Sequence, residues 1–150
     1  MKKSPNKART HANLGCHYDE KGFLEKAISE SRKALEIEPY FVKALNNLAS
    51  SYYKKGLIDE AIAEFEKATK ICPHYANAYI NLGNIYNDRQ MFNEAIAEFR
   101  KALNIDTNNG RAHEGIGKAY LNKGMEKEAI AEFQKAYEIN PGKIRFQFSN

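Results

Sequence analysis

The chain has 150 residues, 43% of them apolar and 28% charged, with a formal net charge of +4. That apolar content supports a packed core and excludes the low-hydrophobicity signature of a disordered chain, and no run approaches the length of a membrane span. Six of the 23 basic residues (Lys2, Lys3, Lys7, Arg9, Lys143 and Arg145) lie near the two ends, which leaves 17 basic against 19 acidic residues between them, no basic field for nucleic acid.

Residues 1–7 read as a basic N-terminal extension. Met1-Lys2-Lys3 could open a signal peptide, but Ser4-Pro5-Asn6-Lys7-Ala8-Arg9 stands where its apolar stretch should be. The two cysteines, Cys16 and Cys72, form no paired motif, so a reduced, cytoplasmic setting is expected. From residue 8 the chain repeats. The hexapeptide Glu-Ala-Ile-Ala-Glu-Phe occupies 60–65, 94–99 and 128–133, and aligning on it divides the chain into 8–41, 42–75, 76–109 and 110–143. The eleventh residue of every repeat is Tyr (Tyr18, Tyr52, Tyr86, Tyr120). The twentieth is Ala (Ala27, Ala61, Ala95, Ala129), and so is the twenty-seventh (Ala34, Ala68, Ala102, Ala136). In the first repeat, Lys26-Ala-Ile-Ser-Glu-Ser31 is a degraded hexapeptide, as expected of a terminal copy.

The second repeat shows the pattern most clearly. Leu45, Leu48, Ala49 and Tyr52 recur at i, i+3, i+4 and i+7, one stripe of an α-helix. Lys55-Gly56 ends it, Asp59 is placed to cap the next helix, and Ala61, Ile62, Phe65, Ala68 and Ile71 form the stripe of that helix, which Pro73 stops. The third repeat carries Gln90 at the turn glycine and the fourth follows Thr107 instead of a proline; neither change removes a helix. Small alanines let the two backbones approach, and the hexapeptide's aromatic fills the space between repeats. Each copy is thus the packing face of a helix hairpin that needs its neighbour.

These residues resemble the tetratricopeptide repeat family over 8–143. The carriers are Leu14-Gly15-x2-Tyr18, Leu82-Gly83-x2-Tyr86, Ala61-x3-Phe65, Ala95-x3-Phe99, and Pro39, Pro73 and Pro141. The Trp place of the family pattern holds His11, Leu45, Tyr79 and His113, and Ser31 replaces the aromatic. The resemblance implies an all-α solenoid, a right-handed superhelix of four stacked helix-turn-helix repeats in a single domain, followed by a tail at 144–150.

No phosphate loop, Gly-x-Ser-x-Gly or His-Glu-x-x-His motif is present. Cys16 and His17 point about 100° apart on a helix and have no second ligand pair, so neither catalysis nor a metal is expected there. His11 and His113 are expected to pack with a hydrogen-bonded ring nitrogen, and the four repeat tyrosines to lie in the core. The expected protein is non-enzymatic, without cofactor or metal, and binds no nucleic acid or membrane.

With places 4, 7, 8 and 11 of each repeat buried, the opposite stripe uses places 2, 5, 6, 9, 12 and 13. The family resemblance implies that this stripe lines a concave groove for another protein's extended or helical segment. It contains Asn13, Lys43, Asn47, Tyr53, Lys54, Asn77, Ile80, Asn81, Asn84, Arg111, Lys118 and Leu121. Asn13, Asn47 and Asn81 stack at one place and Gly115 ends the row. An amide both donates and accepts, so such a row can pair with a peptide backbone, and it resembles the asparagine ladder of the O-GlcNAc transferase superhelix. Asn47 and Asn81 are expected to face water, with Tyr53, Ile80 and Leu121 as apolar anchors and Lys43, Lys54, Arg111 and Lys118 setting charge register. A two-carboxylate clamp is not matched: its places hold Ala12, Cys16, Asn47, Asn77 and Asn81, or Asn46, Ser50, Asn81, Arg111 and Gly115 in the next frame. At the C-terminal end, Phe133, Ala136, Tyr137 and Ile139 form an apolar strip, and the tail alternates with Ile144, Phe146 and Phe148 to one side. The strip is expected to be buried by self-association, end to end or with the tail in a neighbour's groove, the alternative being the tail folded back over its own last helix.

Overall fold

The computed structural model describes residues 4–142. Among them it contains α-helices and no strand: α1 (Pro5–Glu20), α2 (Leu24–Ile37), α3 (Val42–Lys54), α4 (Ile58–Ile71), α5 (Ala76–Asp88), α6 (Phe92–Ile105), α7 (Gly110–Asn122) and α8 (Glu126–Ile139). The all-α class and the two-helix repeat are as the period dictates. α1 begins at Pro5, inside the expected extension, because proline fits the first helical position, where no N–H partner exists anyway. Ile144, Phe146, Phe148 and the tail lie outside the described residues.

All four hairpin turns are made alike. The backbone N–H of Phe23, Leu57, Met91 and Met125 donates to the carbonyl of the repeat tyrosine at 2.8–2.9 Å. This wrap needs one left-handed residue, supplied by Gly22, Gly56 and Gly124 at φ 76–86°. Gln90 takes the same conformation at φ 62°, a strain on the order of 1 kcal/mol that the closed hydrogen bonds on either side hold in place. Asp59 does not cap α4. The turn places Leu57 at the N-cap without a side-chain bond, and Asp59 sits within the first turn, where its charge still favours the helix dipole. Where the fourth repeat lacks a preceding proline, local side-chain bonds replace it: Asp106 accepts from the Asn108 N–H at 3.1 Å, and Asn109 caps α7 by accepting from Ala112 at 3.1 Å.

The chain divides into two compact units, Met1–Ala78 and Tyr79–Asn150. Elements here pack on sequence neighbours, so compact units follow chain order. In unit 1, Ala12, Ala34 and Ala44 are fully buried with Leu35 and Phe41 packed on them. The Tyr52 hydroxyl accepts from Arg32 at 2.7 Å. In unit 2, Phe99 is fully buried against Gly83 of α5 and Gly115 of α7: a Cβ on Gly83 would stand 2.7 Å from the ring, and one on Gly115 closer still. Phe133 packs likewise on Gly117, where a Cβ would stand 2.8 Å away. The Tyr120 hydroxyl accepts from Arg100 at 3.0 Å, repeating the Arg32–Tyr52 pair. The repeat tyrosines are buried or half-buried in both units, which accounts for them as core.

Candidate binding surface on the first helices

The groove residues expected from the sequence fall in both units, and each set stands by itself. In unit 1, α1 and α3 run beside each other and their facing polar side chains join. Lys43 Nζ donates to Asn13 Oδ1 at 2.9 Å, and Asn47 Nδ2 donates to the Ala12 carbonyl at 3.0 Å. Asp19 receives Ser51 Oγ at 2.9 Å on one oxygen and the Lys54 ammonium on the other. Asn13, Lys43, Asn47 and Lys54 are therefore brought together at one seam. Tyr53 is half-buried, and Asn77 lies exposed in the first turn of α5. The Asn77 side chain bonds the Tyr75 phenol, whose pKa burial pushes up, against the pull of that bond.

In unit 1 the helical-wheel reading is corrected at Asn47 and extended at Asp19. Asn47 does not simply face water: it is half-buried, and its amide donates to the chain's own backbone, because a carboxamide at that place reaches the exposed carbonyl of the adjacent helix. Asp19, at the twelfth place, organises the seam, and sequence reading placed it on the stripe without giving it a role. Its signal is visible in hindsight: it is an acid one repeat before a lysine at the thirteenth place.

In unit 2, Ile80 is not an anchor. It is 1% exposed, because the buried arc of a first helix is wider than one stripe and takes in the third, fifth and tenth places here. Gly115 ends the asparagine row for a steric reason, the Phe99 ring lying where its side chain would go. Asn87, also at the twelfth place, donates to the Gly115 carbonyl at 3.0 Å. Asn81 and Asn84 are half-buried, and Arg111, Lys118 and Leu121 are exposed. Lys118 pairs with Glu114 one turn away at 2.7 Å. Of the self-association set, Phe133 is half-buried and Tyr137 exposed.

His11, His113 and Cys16 each have a carboxylate neighbour. His11 and His113 each place Nδ1 2.6 Å from the carboxylate of Glu30 or Glu132, nineteen residues on, which is the hydrogen-bonded packing expected of that place. Burial alone would raise the Glu30 carboxyl, but hydrogen bonds from His11 and Lys33 outweigh it and hold the pKa below the ordinary value of 4.5. Cys16 is half-buried, and burial together with the Glu20 carboxylate pushes its thiol up, which keeps it protonated and a poor nucleophile. Among the described residues, no group of three His, Cys, Asp or Glu side chains is placed to hold a metal, and no helix is long and apolar enough to cross a membrane.

Comparison with known families matches the tetratricopeptide repeat over residues 8–41, 40–108 and 74–141. Among solved structures, the crystal structure of MamA is 30% identical over 93% of this chain and 82% of that one, with a TM-score of 0.79. Two others share the fold at 24% identity. PilF of Pseudomonas aeruginosa matches with a TM-score of 0.86 over 92% of this chain and 63% of its own. A chain of the Cut9–Hcn1 hetero-tetramer of the APC/C matches at 0.83 over 91% and 28%. Comparison with curated protein sequences finds no match.

Proposed function

The chain belongs to the tetratricopeptide repeat family, and from that premise we propose that it is a non-enzymatic binding scaffold that takes an extended segment of another protein along its first helices. The observation that carries this reading is the α1–α3 seam of unit 1. There the amides of Asn13 and Asn47 and the ammonium groups of Lys43 and Lys54 lie together on a half-exposed face.

Each lysine uses one N–H within the seam and has others to offer. A partner's backbone carbonyls and side-chain carboxylates are the groups such donors recognise. Arg9, Lys43 and Lys54 outnumber Asp19 and Glu20 on this face, which favours segments with an acidic residue, and Tyr53 supplies apolar contact beside Lys54. In unit 2, Arg111, Lys118 and Leu121 offer a second, separate set of donors and an anchor.

The test is selection of peptides from a random display library, followed by amide chemical-shift mapping with the best binder. Shifts confined to α1 and α3, together with a loss of affinity of roughly tenfold or more in Lys43→Ala combined with Tyr53→Ala, support the reading. Shifts confined to the outer faces of α2 and α4 would sink it. Tight, salt-sensitive anisotropy changes with random single-stranded DNA would instead favour a nucleic-acid role.

A further inference from the structure

Within each unit, a second helix is covered by the first helix of the following repeat: α2 lies against α3, and α6 against α7. The cover can be read place by place. Ile28 of α2 and Ile96 of α6, at the twenty-first place, are 4% and 6% exposed, whereas Ile130 of α8 at the same place is 47% exposed. Three places on, Ser31 and Phe99 are fully buried and Phe133 is half-buried. At the twenty-eighth place, Leu35 and Leu103 are half-buried and Tyr137 is exposed.

The receiving side shows the reciprocal change. The third, seventh and tenth places of α3 are Ala44, Leu48 and Ser51, and those of α7 are Ala112, Ile116 and Ala119, all buried. In α1 the same places hold Thr10, Leu14 and His17, all exposed, with Leu14 at 38% against 4% for Leu48 and 2% for Ile116. α8 thus bears the half-interface that α2 and α6 present, and α1 bears the half that α3 and α7 provide to receive it.

A surface and its complement at different places on one molecule make a heterologous contact, which extends rather than closes unless a rotation brings it round. We infer that the exposed face of α8 docks on the exposed face of α1 of a second copy, head to tail, continuing between chains the interface that each unit already makes inside itself. Thr10 and His17 replace small buried residues of α3 and α7, so the contact between copies is weaker than the one within a chain and forms only as concentration rises. This contact involves neither the α1–α3 seam nor its partner, so each of the two readings can fail alone.

Sedimentation velocity of the full chain over a wide concentration range tests it, with Leu14→Lys and Ile130→Lys as variants whose helicity is checked first. Both positions are exposed, so both variants are expected to fold. The wild type is expected to grow past the dimer as concentration rises, and each variant to remain monomeric. An equal mixture of the two variants is expected to form a discrete one-to-one dimer, since one supplies an intact α1 face and the other an intact α8 face. Continued association of Leu14→Lys alone would mean that α8 pairs with α8 and would overturn the head-to-tail geometry. A wild type monomeric at all concentrations would overturn the inference too, and association appearing only after deletion of 143–150 would assign the α8 face to the chain's own tail.

Discussion

The two units join neighbouring first helices in different ways. In unit 1 the α1–α3 seam is built from polar side chains, most of them within reach of water: Lys43 on Asn13, Asn47 on the Ala12 carbonyl, and Lys54 together with the buried Ser51 on Asp19. In unit 2, α5 and α7 meet across the fully buried Phe99 ring, which Gly83 and Gly115 admit by having no Cβ, with Asn87 adding one bond to the Gly115 carbonyl. A buried ring of this size contributes about 2–3 kcal/mol by its removal from water, whereas a single polar contact nets about 0.5–1.5 kcal/mol because water competes for it. One repeat pattern therefore yields a dry seam that holds the fold and a wet seam whose groups can be exchanged for those of a partner. The shared alanines at the twentieth and twenty-seventh places make both possible, and the variable places choose between them.

That contrast predicts a large effect in unit 2. Phe99→Ala should cost about 3–5 kcal/mol in urea unfolding, since the two glycines cannot refill the space. Gly115→Ala should cost about 1–3 kcal/mol by pressing a methyl group into the ring. A Gly115→Ala protein as stable as the wild type would show that the ring is not wedged there, and the dry seam would lose its basis.

In unit 1 the change should be smaller and sensitive to salt. Asp19→Ala removes the acceptor for Ser51 and Lys54 and should cost about 1 kcal/mol, discounted for the exposure of the lysine. The ionic part should shrink as salt is raised to about 1 M, where screening reaches contact distance. A Phe99→Ala cost that fell with salt in parallel would erase the distinction between the seams.

The half-buried Glu30 of α2 sharpens the comparison through pH. Because the folded pKa of Glu30 lies below its unfolded value, the stabilisation it gives is present above about 4.5 and is lost as pH falls through the folded pKa. Glu30→Gln should remove that acid-dependent part, so its stability should fall less steeply between pH 5 and the acid transition than the wild type's, by chemical denaturation at each pH. Identical slopes would mean that the His11 and Lys33 bonds do not favour the charged form.

The smallest effect is expected at Ser31, which stands where the other repeats carry Phe. Its hydroxyl is buried without a hydrogen-bond partner, and the Gly15 backbone lies close by. Ser31→Ala should therefore change stability by no more than about 0.5 kcal/mol, and in the stabilising direction if at all, because an orphaned polar group is removed at almost constant volume. A clear loss in thermal melting would show that the hydroxyl has a partner after all.

The repeat period, the helix breaks and the buried alanines were legible from sequence, because each depends on residues within one hairpin. A left-handed turn residue, a proline past the helix end and an i, i+3, i+4 apolar stripe act over a few residues and mean the same thing wherever the hairpin is placed. The histidine–glutamate pairs at His11 and His113 were half legible, since the ring's need for a partner was evident while the partner, nineteen residues away, was not. What the tertiary structure decided lies between hairpins. Ile80 reads as a groove residue on a helical wheel, yet it is core, because the buried arc of its helix is wider than one stripe. Asn47 reads as a free amide, yet it bonds a carbonyl thirty-five residues earlier. No periodicity within a repeat encodes such a contact. It follows from how closely two backbones approach, and that distance is set by the side chains of both neighbours together.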